Sequence, residues 1–422
     1  MSTKKISAHY RPDIDGLRAI AVISVLLFHL MIRPALGGFV GVDIFFVISG
    51  YLIGNIVLGE VAEGRFSLRA FYERRFRRIL PALFVMMLAT LAILVATAYP
   101  VSLAQYSRNA MAAVFSVSNI YFWRMSGYFD AASNQNFLLH TWSLGVEEQF
   151  YLLFPPLVMA IGRFAKGRVV AILGLLAVVS FLASVWLVGH APSAGFYLLP
   201  SRAWELLLGT LAGRVRFNWL AAPVQRNLVA LAGAVAVLAP IVAYREATPV
   251  PGVAALLPCL GTAMIIVSGG HGETLVSRVL SARPAVFVGL ISYSLYLWHW
   301  PLLVLAQELK PAPYLGRFEK LAVLALSFGC AILSWRYVER PFRGGAAASS
   351  ILRTTGIAAA SATALLGGLI LAAGLPGCRD VSIPSRSAMP PMAISVEWKR
   401  FASAAASSSR TMAFPPSIAK SA

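Results

Sequence analysis

The chain has 422 residues, of which 58% are hydrophobic and only 13% charged. That balance excludes a disordered chain and a single soluble globular domain, and fits a protein whose main solvent is lipid. The formal charge of +19, from 36 Lys and Arg against 17 Asp and Glu, reads as basic loops at a membrane surface and not as a nucleic-acid footprint.

Lys4 and Lys5 precede the first apolar run, but that run starts near Leu17 and no small-residue cleavage site follows it. It therefore reads as a retained membrane helix and not as a signal peptide. Apolar stretches of about 17 to 25 residues then recur along the chain. They predict spans at 17–33, 38–58, 80–99, 142–162, 169–188, 197–213, 227–244, 253–268, 285–306, 319–337 and 353–374. The fold class expected is an all-α, polytopic transmembrane helix bundle of about eleven spans, because only helices and closed barrels satisfy the backbone in lipid. The short alternating strands of a barrel are absent from the sequence. Cys259 and Cys330 lie in apolar runs and read as core thiols.

Residues 107–123 are apolar enough to touch the membrane, and a crossing there would switch the side of every later loop. Left uncrossed, with the N-terminus in the cytoplasm, they give 22 Lys and Arg on the cytoplasmic side and 7 in the outer loops. Arg202 is the one arginine placed inside a span. This asymmetry favours a cytoplasmic N-terminus, an extracytoplasmic C-terminus, and an interfacial or re-entrant outer helix at 107–123. After Pro376 the chain is rich in Ser, Ala, Pro and Met without sustained periodicity, and is expected to be disordered or truncated over 377–422.

Ionisable residues inside a membrane are costly and tend to line cavities. At 1.5 Å per residue, His29, Asp43, Glu147 with Glu148, Glu205 and His299 all fall roughly 18–22 Å above the cytoplasmic edge of a core about 30 Å thick. His29, alone among Leu27, Phe28 and Leu30, is the candidate general base or transient acyl carrier, with Asp43 or Glu147 as the acid that orients it. Helix packing is the competing reading of Asp43 and Glu205. His299, between Trp298 and Trp300 and followed by Pro301, suits a kink as well as it suits catalysis. Glu147 and Glu148 are about 100° apart on a helix, so only one of them faces a given cavity. No metal-ligand spacing is present, and neither is a Walker loop or GxGxxG motif.

At the foot of the third span lies Tyr72-Glu-Arg-Arg-Phe-Arg-Arg-Ile-Leu-Pro81, with four arginines in five positions. Arginines at i and i+3, such as Arg75 and Arg78, share a helix face and can grip phosphates, although plain positive-inside anchoring explains the same composition.

These segments together resemble acyltransferase family 3, the integral-membrane O-acyltransferases of surface glycans. The resemblance rests on YRPDIDGLRAIAVISVLLFHL (10–30), GGFVGVDIFFVISGYLI (37–53), FYERRFRRILPAL (71–83), LLHTWSLGVEEQFYLLFP (138–155), SRAWELLLG (201–209), ISYSLYLWHWP (291–301) and WRYVERPFR (335–343). It implies a membrane domain over 10–343 in the inner membrane of a bacterial cell, with His29 catalytic and Arg75 and Arg78 handling the donor. That donor is acetyl-CoA or another acyl-CoA, used as substrate with no permanently bound cofactor. The acceptor implied is an extracytoplasmic polysaccharide, lipopolysaccharide or lipid-linked saccharide. One subfamily adds an extra span and an SGNH hydrolase-like domain. The stretch 344–376 matches that span, and 377–422 is expected to be a truncated remnant without the domain. A proton-coupled secondary transporter and an inactive scaffold of a glycan-assembly complex remain as alternatives, since both tolerate intramembrane acids and histidines.

Reporter fusions after Arg78 and after Gly374 are expected to report opposite compartments, cytoplasmic and outer respectively. A shared compartment would break the eleven-span arrangement.

Overall fold

The computed structural model describes residues 10–96, 100–125, 136–165, 167–215, 217–309 and 314–343. The span expected at 353–374 and the tail expected over 377–422 lie outside the described residues. Among the latter there is no strand, and the chain is an all-α membrane bundle.

The helices, in chain order, are α1 (Pro12–His29), α2 (Gly41–Ala62), α3 (Leu68–Ala96), α4 (Pro100–Val114), α5 (Ser118–Met125), α6 (Thr141–Phe164), α7 (Val169–His190), α8 (Pro192–Tyr197), α9 (Leu199–Ala212), α10 (Pro223–Ala243), α11 (Leu256–Gly270), α12 (Leu275–Leu280), α13 (Arg283–Glu308), α14 (Arg317–Ser334) and α15 (Arg340–Arg343). A π-helical stretch, Trp335–Glu339, joins the last two. Proline stands in the first turn of α1, α8, α9, α10 and α13, where its missing N–H has no intrahelical partner to lose.

Among the described residues, eight helical segments are long and apolar enough to cross a membrane: Gly38–Ala62, α3, α6, α7, α10, Gly252–Gly270, α13 and Arg317–Phe342. Two further expected spans fall on α1 and α9. The first carries Asp13, Asp15 and Arg18 in its opening turns, and the second has 14 residues with Arg202 and Glu205 inside it. The ambiguous stretch 107–123 is broken at Ser116, whose φ of 57° ends helical geometry between α4 and α5. At 15 and 8 residues these helices reach about 22 and 12 Å, short of a bilayer core of about 30 Å.

Packing follows from where the sequence has small residues. The closest helix pairs are α1 with α13, α2 with α9, α7 with α9, α10 with α11, and α13 with α14. The α2–α9 crossing is the tightest contact that bears on the site. A Cβ on Gly50 would overlap the Leu206 carbonyl oxygen, and one on Gly209 would overlap that of Val47. Glycines at both positions let the two backbones touch, which is how helices associate where lipid supplies no hydrophobic drive. By contrast, α7 and α14 turn Leu175, Leu182, Trp186, Leu321 and Leu326 outward, the apolar belt expected of lipid-facing helices.

Gly50→Ala and Gly209→Ala are each expected to cost about 1–3 kcal/mol in reversible unfolding from mixed micelles, since a backbone and not a flexible side chain has to move. Gly59→Ala on the same helix, where a Cβ meets open space, is expected to be neutral or stabilising by up to about 1 kcal/mol. Equal effects at Gly50 and Gly59 would contradict the close crossing.

Candidate functional site

His29 closes α1. Beyond it Met31 adopts a left-handed conformation (φ 52°) and the chain turns away, and His29, like Leu27 and Phe28 before it, is half-buried. Its Nδ1 lies 3.0 Å from Nε2 of His299, and the two rings stack at 5.2 Å and 11°. His299 Nδ1 in turn lies 2.6 Å from the Tyr296 carbonyl oxygen. A carbonyl can only accept, so the proton sits on His299 Nδ1 and leaves Nε2 as an acceptor. His29 Nδ1 must then be the donor to it, and His29 Nε2 keeps its lone pair. With both imidazoles neutral, this series of bonds leaves His29 Nε2 unprotonated. Trp300 packs edge-on against His29 at 4.7 Å and is held by its own Nε1 donating to the Asn136 carbonyl at 2.7 Å.

The place assigned to an orienting acid is thus filled by His299. Asp43 lies elsewhere. Its Oδ1 accepts from Arg202 Nη1 at 2.6 Å, and Glu205 Oε1 accepts from the same nitrogen at 3.0 Å. All three side chains are at most 4% exposed. The guanidinium stands against Trp142 and Phe196, at 5.6 and 5.1 Å from their rings, which pack on each other at 4.4 Å, and its Nε donates to the Phe196 carbonyl. A cation that deep is tolerable only with partners and aromatic faces around it. Asp43, Arg202 and Glu205 form a tie between α2 and α9.

Glu147 takes a third position. It accepts from the Tyr151 hydroxyl, which leaves the Ser49 hydroxyl to donate to Tyr151. Glu147, Tyr151 and Ser49 all line one cavity of about 100 Å³, whereas Glu148 does not line it. Along α2 the cavity runs from Val42 to Ile53, about 16 Å at the helical rise. At one end stand Arg18, Arg75 and Arg78. At the other stand Ser143 and Tyr296, one turn before His299.

The four arginines at 74, 75, 77 and 78 of the third helix divide into two sets. Arg74 reaches Glu60 and Arg77 reaches Glu73, as local ion pairs. Arg75 and Arg78 have no carboxylate within 4.0 Å among the described residues and face the cavity instead, as their i, i+3 spacing allows.

Three residues near the site were not singled out from the sequence. Arg18 was counted only as a cytoplasmic charge. His140 lies within a quoted motif, yet it is 3% exposed with its ring 5.8 Å from that of His299. Arg202 carried a readable signal: a lone arginine in an apolar span with a glutamate three residues on. Among the described residues no group of three or more His, Cys, Asp or Glu is arranged to hold a metal ion.

The family model described as an acyltransferase domain matches residues 11–336. The chain belongs to the acyltransferase 3 family. It is 35% identical to a peptidoglycan O-acetyltransferase OatA of Listeria monocytogenes over 81% of this chain and 57% of that protein. It is 33% identical to a putative peptidoglycan O-acetyltransferase, YrhL, of Bacillus subtilis over 79% of this chain and 55% of that one. With an O-acetyltransferase OatA of Staphylococcus aureus the figures are 31%, 81% and 58%. The chain therefore spans a little over half the length of these relatives. No solved structure matches.

Replacing Arg202 by Met is expected to cost about 3–5 kcal/mol, because it strands two buried carboxylates. Adding Asp43→Asn and Glu205→Gln to that variant is expected to recover more than half of the loss in the same unfolding measurement. No recovery would mean that Arg202 contributes through its aromatic packing alone.

Proposed function

We propose that the chain is a membrane O-acetyltransferase that takes an acetyl group, or another short acyl group, from cytosolic acyl-CoA and delivers it to a glycan hydroxyl on the outer side of a bacterial cell membrane. The observation that carries this reading is the cavity, which joins the carboxylate-free Arg75 and Arg78 to Tyr296, one turn short of the His29–His299 pair. Guanidinium forks suit the phosphates of CoA, and the arginine end is the cytoplasmic end in the eleven-span arrangement. The acceptor class rests on the relatives named above, and a lipid-linked saccharide or other wall glycan fits equally.

His29 Nε2 then takes the proton of the acceptor hydroxyl as that oxygen bonds to the thioester carbonyl carbon. The carbon–sulfur bond breaks, CoA leaves as thiolate, and the proton on His29 passes to the sulfur. The products are an ester and free CoA. His299 is a positioning residue: it fixes the tautomer that leaves His29 Nε2 unprotonated. None of these steps calls on a resident cofactor.

Inside-out vesicles carrying the full chain and given radiolabelled acetyl-CoA are expected to label their glycan fraction. His29→Ala is expected to abolish labelling without loss of insertion. Arg75→Ala and Arg78→Ala are each expected to weaken donor binding by about 1.5–3 kcal/mol, roughly 10- to 100-fold. Lysine at both positions is expected to rescue only partly, because it lacks the fork. Full activity of the double lysine variant would reduce the cluster to an anchor, and label surviving in His29→Ala would remove the base assignment. Uptake without labelling would favour a transporter.

A further inference from the structure

Helix α3 carries Arg75 and Arg78, yet little fixes its rotation. It is absent from the closest helix pairs and contains no glycine, so no backbone contact of the α2–α9 kind locks it. Pro81 weakens it further. Proline has no N–H, so the Arg77 carbonyl loses its usual donor four residues on, and helices bend at such a turn. That turn begins within the arginine segment itself.

Two phenolic hydroxyls tie this segment to its neighbours. Tyr293 of α13 donates to the Ile79 carbonyl at 2.8 Å, at the residue that follows Arg78. At the lower end Tyr72 of α3 donates to the Leu152 carbonyl of α6 at 2.9 Å. The Leu152 carbonyl is free to accept, because its helical partner four residues on would be Pro156. The two bonds are about 10 Å apart along α3, and Arg75 and Arg78 stand between them. Arg74 adds an ion pair with Glu60, but its side chain is half-exposed and such pairs are worth little. The α13 side of the upper tie is itself anchored: Ser294, next to Tyr293, donates to the buried carboxylate of Glu339 in the π-helical stretch.

Rotation matters because Arg75 and Arg78 share one face, so a twist of α3 carries both forks off the cavity together. The buried Arg75 Nε makes no hydrogen bond among the described residues. A buried donor left without an acceptor is costly, which suits a site whose acceptor is brought in by a ligand.

We infer that Tyr293, with Tyr72 as the second tie, is a positioning residue for the donor: its bond to the Ile79 carbonyl holds α3 at the rotation where Arg75 and Arg78 both face the cavity. The inference rests on these arginines gripping the phosphates of acyl-CoA, as proposed above. Tyr293 also lines the cavity, so direct contact with the arm of the donor is the rival role.

The test compares acetyl-CoA with S-acetylpantetheine, which keeps the arm and the thioester but has no phosphate. Thiol release is measured in inside-out vesicles carrying the full chain, with the vesicles' own glycan as acceptor and His29→Ala vesicles as background. Tyr293→Phe deletes one oxygen and keeps the ring. It is expected to raise KM for acetyl-CoA by about 3- to 10-fold, the scale of one net hydrogen bond, with kcat within twofold of native. KM for S-acetylpantetheine is expected to move by less than twofold. In the Arg75→Ala, Arg78→Ala background the same substitution is expected to have no further effect, because it acts only through those side chains. An unchanged KM for acetyl-CoA in Tyr293→Phe, where the arginine variants do raise it, would overturn the inference alone. Tyr72→Phe decides by the same criterion should phenylalanine at 293 fail to insert. An equal loss with both donors, or an effect that adds fully to that of the arginine variants, would assign Tyr293 to direct contact or general stability and overturn its positioning role. Arginine variants with native KM, or a native chain that releases thiol from neither donor, would overturn the donor reading and the positioning role with it.

Discussion

Arg202 is a guanidinium with 2% of its side chain exposed in the middle of an apolar bundle. No such group survives there alone, since the cost of an unpaired buried charge exceeds what any single packing contact returns. Its partners decide how α2 and α9 meet. Asp43, Val47, Gly50 and Gly54 form the stripe of α2 that faces α9, with Gly50 and Gly209 allowing backbone contact and Thr210 hydrogen-bonding to the Gly50 carbonyl at 2.9 Å. With that stripe spent on α9, the neighbouring one (Val42, Phe45, Phe46, Ser49, Ile53) is left to wall the cavity. An ion triad that touches no part of the cavity thus sets the rotation of the helix that forms its longest wall.

Hydrogen-bond direction organises the other half of the site. Each histidine could exist in two neutral tautomers, and nothing local to His29 chooses between them. The choice is made at the far end of the chain of bonds, where a main-chain carbonyl accepts and cannot donate. From there the protons are assigned in sequence: His299 Nδ1 to Tyr296, His29 Nδ1 to His299. A carboxylate in the same place would orient the ring and also attract a positive charge onto it. A neutral imidazole orients without doing so, which suits the base role proposed for His29.

The cavity is lined by Ser143 and Tyr296, and the His29–His299 pair does not line it, although the His299 ring lies 5.3 Å from that of Tyr296. In the proposed eleven-span arrangement the arginine end of the cavity faces the cytoplasm and His29 lies toward the other side. For the transfer proposed above such a division is useful, because an open path between a thioester and the outer water would hydrolyse the donor or leak protons.

Much of the architecture was legible in the chain itself. Hydropathy runs and helix length are local properties, set by a window of about 20 residues against the thickness of the lipid, so ten of the expected spans fall on helices. The break within 107–123 agrees with the charge asymmetry that argued against a crossing. The i, i+3 spacing of Arg75 and Arg78 put them on one face, and both line the cavity. A common depth for His29, Asp43, Glu147, Glu205 and His299 also followed from rise per residue, but depth is one coordinate of three. Which side chains meet at that depth depends on how each helix is rotated and which helix stands next to it. His29 and His299 are 270 residues apart and Asp43 and Arg202 are 159 apart. At such separations no periodicity relates the partners. Sequence therefore determined that this protein is a helical membrane bundle with costly polar groups in its interior. Only the tertiary packing decided that the acids would neutralise an arginine and hydrogen-bond a tyrosine, and that a second histidine would hold the first, because in a low dielectric each polar group is fixed by whichever complementary group the close crossings bring within 3 Å.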